Sequence, residues 1–452
     1  METLHYDLVV VGGGATGLSL LLGLYPHLKR GQLKSILLIE KNTDVQPLPG
    51  RSIALNYNTL KFFKEINALP YLASKIKPIK NILVKNHGFT QSLILKANEH
   101  HLDQFGGVID LATLQHDLTD LVRLMQSKLP EVNIEFLTGI KVNKTYLSDQ
   151  VRKLELEHLE LQSTLEISTD LVIIANGANF IQGLENYKDT LITHVHDQYA
   201  MIADVEYSSP LNNLAIEYFT QDGPVAFLPI SDSQASVVWC TNKTLIEQAK
   251  QDNNLVIDSL NNVLTQIGEE TLKQAINCKF NHDSKLKLVN LRPCQSLKSK
   301  YYISACSDMT SFTLNSQLQT KLNDVNLVYL GNAAHTLHPV SGQGFNLATL
   351  SIQSFLSVLE TYQELPFATQ ANIIAQEYHY KHLPLATEVF NRTNFLAKEF
   401  TTKSSLGSFL PNLGLYHLIN YPFLQELIVS PSLGYVKPSS QTSKLLQYLQ
   451  KN

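Results

Sequence analysis

Short apolar runs that end in glycine-rich turns organise this chain. Asp7-Leu8-Val9-Val10-Val11 is one such run. It passes into Gly12-Gly13-Gly14-Ala15-Thr16-Gly17, and Leu18 to Leu24 then has helical spacing. A second run, Ser35-Ile36-Leu37-Leu38-Ile39, ends at Glu40. A third, Leu327-Val328-Tyr329-Leu330, reads as a buried strand. It enters the turn Gly331-Asn332-Ala333-Ala334-His335-Thr336-Leu337-His338-Pro339-Val340-Ser341-Gly342-Gln343-Gly344-Phe345-Asn346, and Leu347 to Leu359 then reads as a helix. Asp170 to Ile174 is a further apolar strand, closed by Ala175-Asn176-Gly177-Ala178. Val108-Ile109-Asp110 leads into a helix marked by Leu111, Leu114, Leu118, Leu121 and Val122, with Gln115 near its start. Pro49-Gly50-Arg51-Ser52-Ile53-Ala54-Leu55 predicts a turn with Arg51 just before a helix.

The pattern changes between about residues 181 and 290. Ala200–Val205, Ala215–Thr220, Pro224–Leu228 and Ala235–Thr241 are short β-rich segments separated by Gly, Asn, Asp and Ser. That spacing predicts an antiparallel sheet. Beyond residue 360 the pattern is mostly helical, with Pro384, Pro411, Pro422 and Pro431 as expected breaks. The expected fold is therefore α/β. A discontinuous Rossmann-like dinucleotide-binding domain (1–70, 100–180 and 290–360) carries an inserted antiparallel-sheet substrate domain (71–99 and 181–289), and a helical C-terminal region (361–452) follows.

The spacing of the first turn has a chemical meaning. In G-x-G-x-x-G the first glycine, Gly12, permits a tight turn and the second, Gly14, lets backbone approach a pyrophosphate. The third, Gly17, lets the helix pack close on the strand. Glu40 lies 23 positions after Gly17, where such a fold places an acceptor for a ribose hydroxyl. The turn at 331–346 is a second strand–turn–helix junction, and helix N-termini bind anionic groups.

Composition narrows the class. With 452 residues, 44% hydrophobic and 17% charged, the chain has room for two or three domains and a large core. A net charge of −4 offers no field for nucleic acid. Cys240, Cys278, Cys294 and Cys306 are scattered, without metal spacing, which fits a reducing compartment and no metal centre. No apolar stretch reaches membrane-span length. The apolar N-terminus lacks a basic n-region and is expected to be a strand rather than a signal peptide. The expected location is cytoplasmic, with peripheral attachment at the inner face of the membrane as the alternative.

Together GGGATG, the turn at 170–178 and GNAAHTLHPVSGQGFNLA resemble flavoprotein aromatic hydroxylases of the p-hydroxybenzoate hydroxylase type. Glu217-Tyr218-Phe219-Thr220-Gln221-Asp222-Gly223-Pro224-Val225-Ala226-Phe227-Leu228-Pro229 resembles a segment of the ubiquinone-biosynthesis branch, and the 331–346 motif looks most like the branch acting on 2-polyprenyl-6-methoxyphenol. The resemblance covers about residues 1–360. It implies FAD as cofactor, NAD(P)H as co-substrate, O2 and a polyprenylated phenol. Ring hydroxylation would proceed through a flavin C4a-hydroperoxide.

The resemblance also implies a set of cofactor-binding residues: Gly12, Gly14, Ala15, Thr16, Gly17, Glu40, Lys41, Arg51, Gln115, Asn176, Gly177, Gly331, Asn332, Gly342, Gly344, Phe345 and Asn346. It places Pro339, Gly342, Gln343 and Gly344 in a loop facing the flavin. The N–H groups of Gly342 to Phe345 would stabilise negative charge on the reduced ring. No protein nucleophile is required. The chain departs from the family pattern at four places. Asn176 and Asn332 stand where acids are usual, Leu350 and Ser351 replace an Arg-Asp pair, and Tyr218 replaces a base.

The remaining polar residues have plainer readings. His335 and His338 are expected to bond backbone, His194 and His196 to alternate along a strand, and Trp239 to lie in the core. Lys279, Lys285, Lys287, Arg292, Lys298 and Lys300 are expected to form a solvated face, with contact to anionic lipid as the alternative. Two other functions fit the pattern: a prenyl-chain reductase on the same FAD fold, and a non-catalytic prenyl-lipid-binding subunit of a ubiquinone-biosynthesis complex.

Overall fold

A computed structural model describes residues 4–43, 51–177, 179–184, 187–276 and 300–399, with 412, 418–419, 429–430 and 433–435 of the C-terminal region. The basic run at 279–298, Pro49 and Gly50, Ala178, and Pro411, Pro422 and Pro431 lie outside the described residues.

The apolar runs assemble into one sheet. Its parallel core has the order Asn133–Thr138, Ser35–Glu40, Leu4–Val11, Thr164–Ile174, Leu327–Tyr329. Leu8, Val9 and Val10, Leu171 to Ile173, and Leu327 and Val328 are all but fully buried. Burial on both faces is why these strands are continuous apolar runs rather than alternating ones. Helices Ala15–Gly23, Leu111–Ser127 and Gly344–Thr361 help to cover them. Chain connections leave Leu4–Val11 toward one edge first and return toward the other. Its carboxyl end is thus the switch point at which open α/β sheets bind ligands. An antiparallel meander, Ile140–Ser148 and Val151–His158, extends the sheet through Thr164–Ile174.

Among the described residues the second sheet has nine strands, including Asn81–Asn86, Leu93–Lys96, Leu191–Tyr207, Leu214–Phe219, Pro224–Pro229 and Gln234–Thr241. It continues past residue 289, because Ile303–Cys306 and Thr310–Gln319 both pair with Leu191–Tyr207. One pair, Leu214–Phe219 with Asn81–Asn86, is parallel; the other described pairs in this sheet are antiparallel. Three helices, Lys243–Ala249, Asn253–Ile267 and Glu269–Ile276, cover one face. The sequence reading missed them, although Val256, Leu260, Val263, Leu264 and Ile267 have helical spacing.

Two local expectations are corrected. Arg51 does not precede a helix. Ser52–Asn56 is a strand, paired with Gly106–Asp110, and the helix begins at Tyr57. Nor does the chain break at Pro384. One helix runs from Phe367 to Glu399 through it. Proline forfeits one helical hydrogen bond, but Tyr378, His382, Leu383, Ala386 and Phe390 are buried on both sides and hold the helix. This helix joins the two halves of the molecule. Ala371, Ile374 and Tyr378 pack in the core of the parallel sheet, and Ala386 and Phe390 pack with Leu318 of the second sheet.

Candidate functional site

The first glycine turn sits at the carboxyl end of Leu4–Val11 and is built in two ways. Gly12 and Gly17 are demanded by packing. A Cβ on Gly12 would lie 2.4 Å from the Ala175 carbonyl oxygen, and one on Gly17 would lie 2.1 Å from that of Gly12. Gly12 also has a φ of +116°, which L side chains rarely adopt. Gly14 is different. It caps the Ala15–Gly23 helix with an ordinary φ of −72°, and a Cβ there would meet nothing within 4 Å. The chain does not need glycine at position 14 for its own folding.

Neighbouring side chains fix this turn. Gly13 N–H donates to Glu40 Oε2 at 2.7 Å, and Glu40 Oε1 accepts from Asn42 N–H at 3.0 Å. A carboxylate has about four acceptor sites, so Glu40 can still take a ribose hydroxyl. Gln115 Nε2 donates to the Gly13 carbonyl at 3.1 Å, and Asp110 Oδ2 caps its helix at Thr113 N–H. Thr16, partly open, lies against Gly331, whose φ is +59° and whose Cβ position is 3.0 Å from Thr16 Cγ2. Ala15 is buried. Asn176 and Gly177 follow Ala175 beside Gly12. Asn176 Nδ2 donates to the Asn179 carbonyl, while its buried Oδ1 finds no partner among the described residues. Asn332, Lys41 and Arg51 are exposed.

The second turn serves the start of the Gly344–Thr361 helix. Val340–Gly342 forms a 3-10 turn, and Gly342 has a φ of +60°. The Gly342 N–H donates to the Pro339 carbonyl at 3.0 Å. It is therefore engaged in the turn rather than free for a ligand. The amides at the helix start, from Gly344 onward, have no acceptor upstream in their own helix. Gly344, like Gly14, would place a Cβ in open space. Phe345 packs against Phe63 at 6.3 Å between ring centroids.

Asn346 is a clamp. Its Nδ2 donates to Ala54 and Gly342 carbonyls, both at 2.9 Å, and its Oδ1 accepts from Asn56 N–H and Thr59 Oγ1, both at 2.8 Å. With its side chain fully engaged, Asn346 can offer a ligand only its backbone. Asn346→Ala is expected to cost roughly 3 kcal/mol, because it strands several buried polar groups. Urea denaturation measures it, and a loss under about 1 kcal/mol would contradict the clamp.

Histidines lie behind this loop. His338 is fully buried. Its Nδ1 accepts from Val340 N–H at 3.2 Å, so Nε2 carries the proton toward Gln198 Oε1 at 3.3 Å. Burial, and then the neighbouring His196, press its pKa down to about 3. His196 meets Ser316 Oγ at 2.8 Å, and His194 packs edge-on to Phe390. His335 is buried with both ring nitrogens unpartnered among the described residues, and burial lowers its pKa to about 4. His382, bonded to Ser354 Oγ at 3.2 Å, is lowered by burial and by His335. Trp239 is in the core.

Burial keeps His335, His338 and His382 neutral when folded, whereas the unfolded chain takes up protons below the ordinary value of 6.5. Stability is then full above about pH 6.5 and is lost as pH falls toward 4, by about 1.4 kcal/mol per pH unit for each histidine. Denaturant titrations across that range should show the loss. In His335→Phe the slope should shrink by one proton's worth, and an unchanged slope would contradict the assignment.

The arrangement fits a dinucleotide. Two glycines that packing does not require, Gly14 and Gly344, front open space at two helix N-termini. Glu40 lies beside the first turn with acceptor capacity to spare, and Asn176 carries an oxygen without a partner among the described residues. Sequence reasoning found these glycines. It missed the Asn346 clamp and the Gln198–His338 link, which join residues distant in the chain.

No model of a known protein family matches the chain. Among curated proteins it is 26% identical to a Drosophila melanogaster ubiquinone biosynthesis monooxygenase COQ6, mitochondrial, over 96% of this chain and 91% of that protein. It is 22% identical to the Dictyostelium discoideum protein of the same name, over 95% and 91%. Among solved structures it is similar to p-nitrophenol 4-monooxygenase PnpA from Pseudomonas putida, with a TM-score of 0.67, 13% identity, and coverage of 97% of this chain and 100% of that one. It is also similar to Klebsiella pneumoniae HpxO complexed with FAD, with a TM-score of 0.66, 13% identity, and coverage of 96% and 99%. The fold is that of FAD-dependent aromatic monooxygenases.

Proposed function

We propose that this protein is an FAD-dependent monooxygenase that hydroxylates the phenolic ring of a polyprenylated ubiquinone precursor, with NAD(P)H and O2 as co-substrates. The observation that carries the reading is the pair of open glycines, Gly14 and Gly344, at the starts of two helices that pack together at Gly23 and Leu356. Full-length similarity to ubiquinone biosynthesis monooxygenases supports the substrate class.

Bound FAD would supply the electrons and the oxygen-activating centre. The protein supplies the rest. The Gly12–Gly17 turn and the first amides of the Ala15–Gly23 helix would hold the pyrophosphate, with Glu40 accepting from the adenosine ribose. Gln115 steadies Gly13. Thr16 and Gly331 bring Asn332 over the same turn, and Asn176 and Gly177 close the side. The amides of Gly344 and Phe345 would serve the flavin ring and would favour negative charge on it. Pro339 and Gly342 shape the loop, and the His338–Gln198 link ties it to the second sheet. Lys41 and Arg51, both exposed, would supply positive charge to the cofactor. Asn176 and Asn332 bind by hydrogen bonding without charge.

Among the described residues no helix is long and apolar enough to cross a membrane. A polyprenyl phenol is nearly insoluble, so we place the enzyme at a membrane surface or beside a lipid-handling partner. Profiling quinone intermediates by mass spectrometry in a strain lacking this protein tests the function. A phenol short of one ring oxygen should accumulate. A normal quinone profile, or a precursor with an unsaturated chain, would contradict it.

A further inference from the structure

The C-terminal region returns to the cofactor half of the molecule at its last described residues. Leu433 N–H donates to the Val429 carbonyl at 2.9 Å, and Tyr435 N–H donates to the Ser430 carbonyl at 3.1 Å. These bonds close a helical turn, and Gly434, with a φ of +91°, ends it in the left-handed conformation. Val429 and Leu433 are buried in an apolar cluster with Leu93 and Ala215 of the second sheet and Val108 of the Gly106–Asp110 strand. Val108 lies opposite Ala54 of the Ser52–Asn56 strand. The turn therefore packs where the second sheet meets that strand.

Its end makes a more specific contact. Asn58 is the second residue of the Tyr57–Glu65 helix, and amides in a first turn have no acceptor within their own helix. Asn56 Oδ1 takes the Thr59 N–H at 2.9 Å, and the Leu433 carbonyl takes the Asn58 N–H at 2.9 Å. A residue far along the chain thus helps to cap this helix. The approach is close. A Cβ on Gly434 would lie 2.7 Å from Asn58 Cβ and 2.8 Å from Asn56 Nδ2. Glycine supplies both the φ and the space.

The capped corner is the one that the Asn346 clamp grips. Asn56 N–H donates to Asn346 Oδ1, and Asn346 Nδ2 holds the Ala54 and Gly342 carbonyls. Asn58 Nδ2 donates to Gln353 Oε1 at 2.8 Å, farther along the helix that begins at Gly344. A displacement at Leu433 therefore reaches the Gly342 turn and its helix through two separate ties.

We propose that the Leu433 carbonyl and Gly434 are positioning residues for hydroxylation. They latch the Asn56–Asn58 corner and so hold the Gly342 turn where the Gly344 and Phe345 amides would serve the flavin. The assignment rests on the monooxygenase reading above. The latch takes part in no bond change and acts on aim alone. A displacement of about 1 Å caused far from the chemistry can cost about 100-fold in rate.

The test uses the flavin-loaded full chain, NAD(P)H and a 2-methoxyphenol bearing a short prenyl group. Gly434→Val should keep its flavin, because the pyrophosphate turn lies elsewhere. Hydrogen exchange at the Asn58 amide, read by mass spectrometry with and without flavin, should quicken about tenfold. The kcat should fall about 10- to 100-fold with KM for the phenol little changed, and product per nicotinamide should fall with it. Val429→Ala loses packing in the same turn but keeps the latch contacts. It should melt earlier yet hydroxylate with wild-type coupling, which separates positioning from stability. Should Gly434→Val fail to fold, truncation after Gln425 takes its place, with the same expected losses. A flavin-loaded Gly434→Val protein with wild-type kcat and coupling overturns the proposal. So does equal uncoupling in Val429→Ala, and so does loss of flavin in both Gly434→Val and the truncated chain. A wild type whose Asn58 amide is protected by the latch, yet which never hydroxylates the phenol, leaves the latch standing and overturns the monooxygenase reading.

Discussion

Gly14→Val is expected to fold normally and to purify colourless. The new side chain enters space that the protein leaves open, at a φ of −72° that valine adopts without strain. Thermal stability of the flavin-free form should therefore lie within about 1 kcal/mol of the flavin-stripped wild type, as for substitutions away from packed features. The same branched side chain stands where backbone must approach the pyrophosphate, so flavin content should fall below a tenth and activity with it. Gly12→Ala and Gly17→Ala provide the contrast. Each forces a Cβ to within 2.4 Å or 2.1 Å of a backbone oxygen, so each should unfold or aggregate rather than merely lose colour. Absorbance ratio and a melting curve separate the two outcomes. A Gly14→Val protein with a full complement of flavin would show that the dinucleotide lies elsewhere.

Gly342→Pro should leave the flavin bound and abolish its productive use. Proline fixes φ near −65°, whereas Gly342 has a φ of +60°. Proline also removes the N–H that donates to Pro339. The 3-10 turn cannot form, and the helix start at Gly344 loses its approach. The Gly344 and Phe345 amides would then be misaimed, and losing one charge-stabilising donor from such a site costs about 100- to 1,000-fold, so product formation should fall by about that much. Nicotinamide oxidation should continue, uncoupled, as peroxide. The pyrophosphate turn lies elsewhere, so flavin should be retained. Stoichiometric product per nicotinamide in this variant would contradict the role of the loop.

The site was legible where its signal is local. A strand, a turn and a helix succeed one another within a few residues at 7–24 and again at 327–359, and the glycines mark the points of close approach. The position of Glu40, at the end of Ser35–Glu40 and beside Gly13, was legible because β–α–β connections place it at a fixed distance. What the chain decides by remote pairing was not. Ser52–Asn56 is short and becomes a strand only because Gly106–Asp110 lies beside it. Thr310–Gln319 joins the second sheet by pairing with residues over a hundred positions earlier. Pro384 remains helical because buried residues on both sides outweigh one missing hydrogen bond. Asn346 looked like a cofactor ligand because it follows the glycine turn, yet its side chain is engaged by Ala54, Asn56 and Thr59, which sequence proximity does not reveal.

One measurement bears most directly on the central claim. The purified, flavin-loaded protein is incubated with NAD(P)H, a prenylated 2-methoxyphenol and ¹⁸O2, and the product is analysed by mass spectrometry. A monooxygenase predicts a ring-hydroxylated product carrying one atom of the heavy isotope, with none drawn from water. A product that has gained two hydrogens in its chain and no oxygen, or no conversion by a protein that holds flavin and is reduced by nicotinamide, would contradict it.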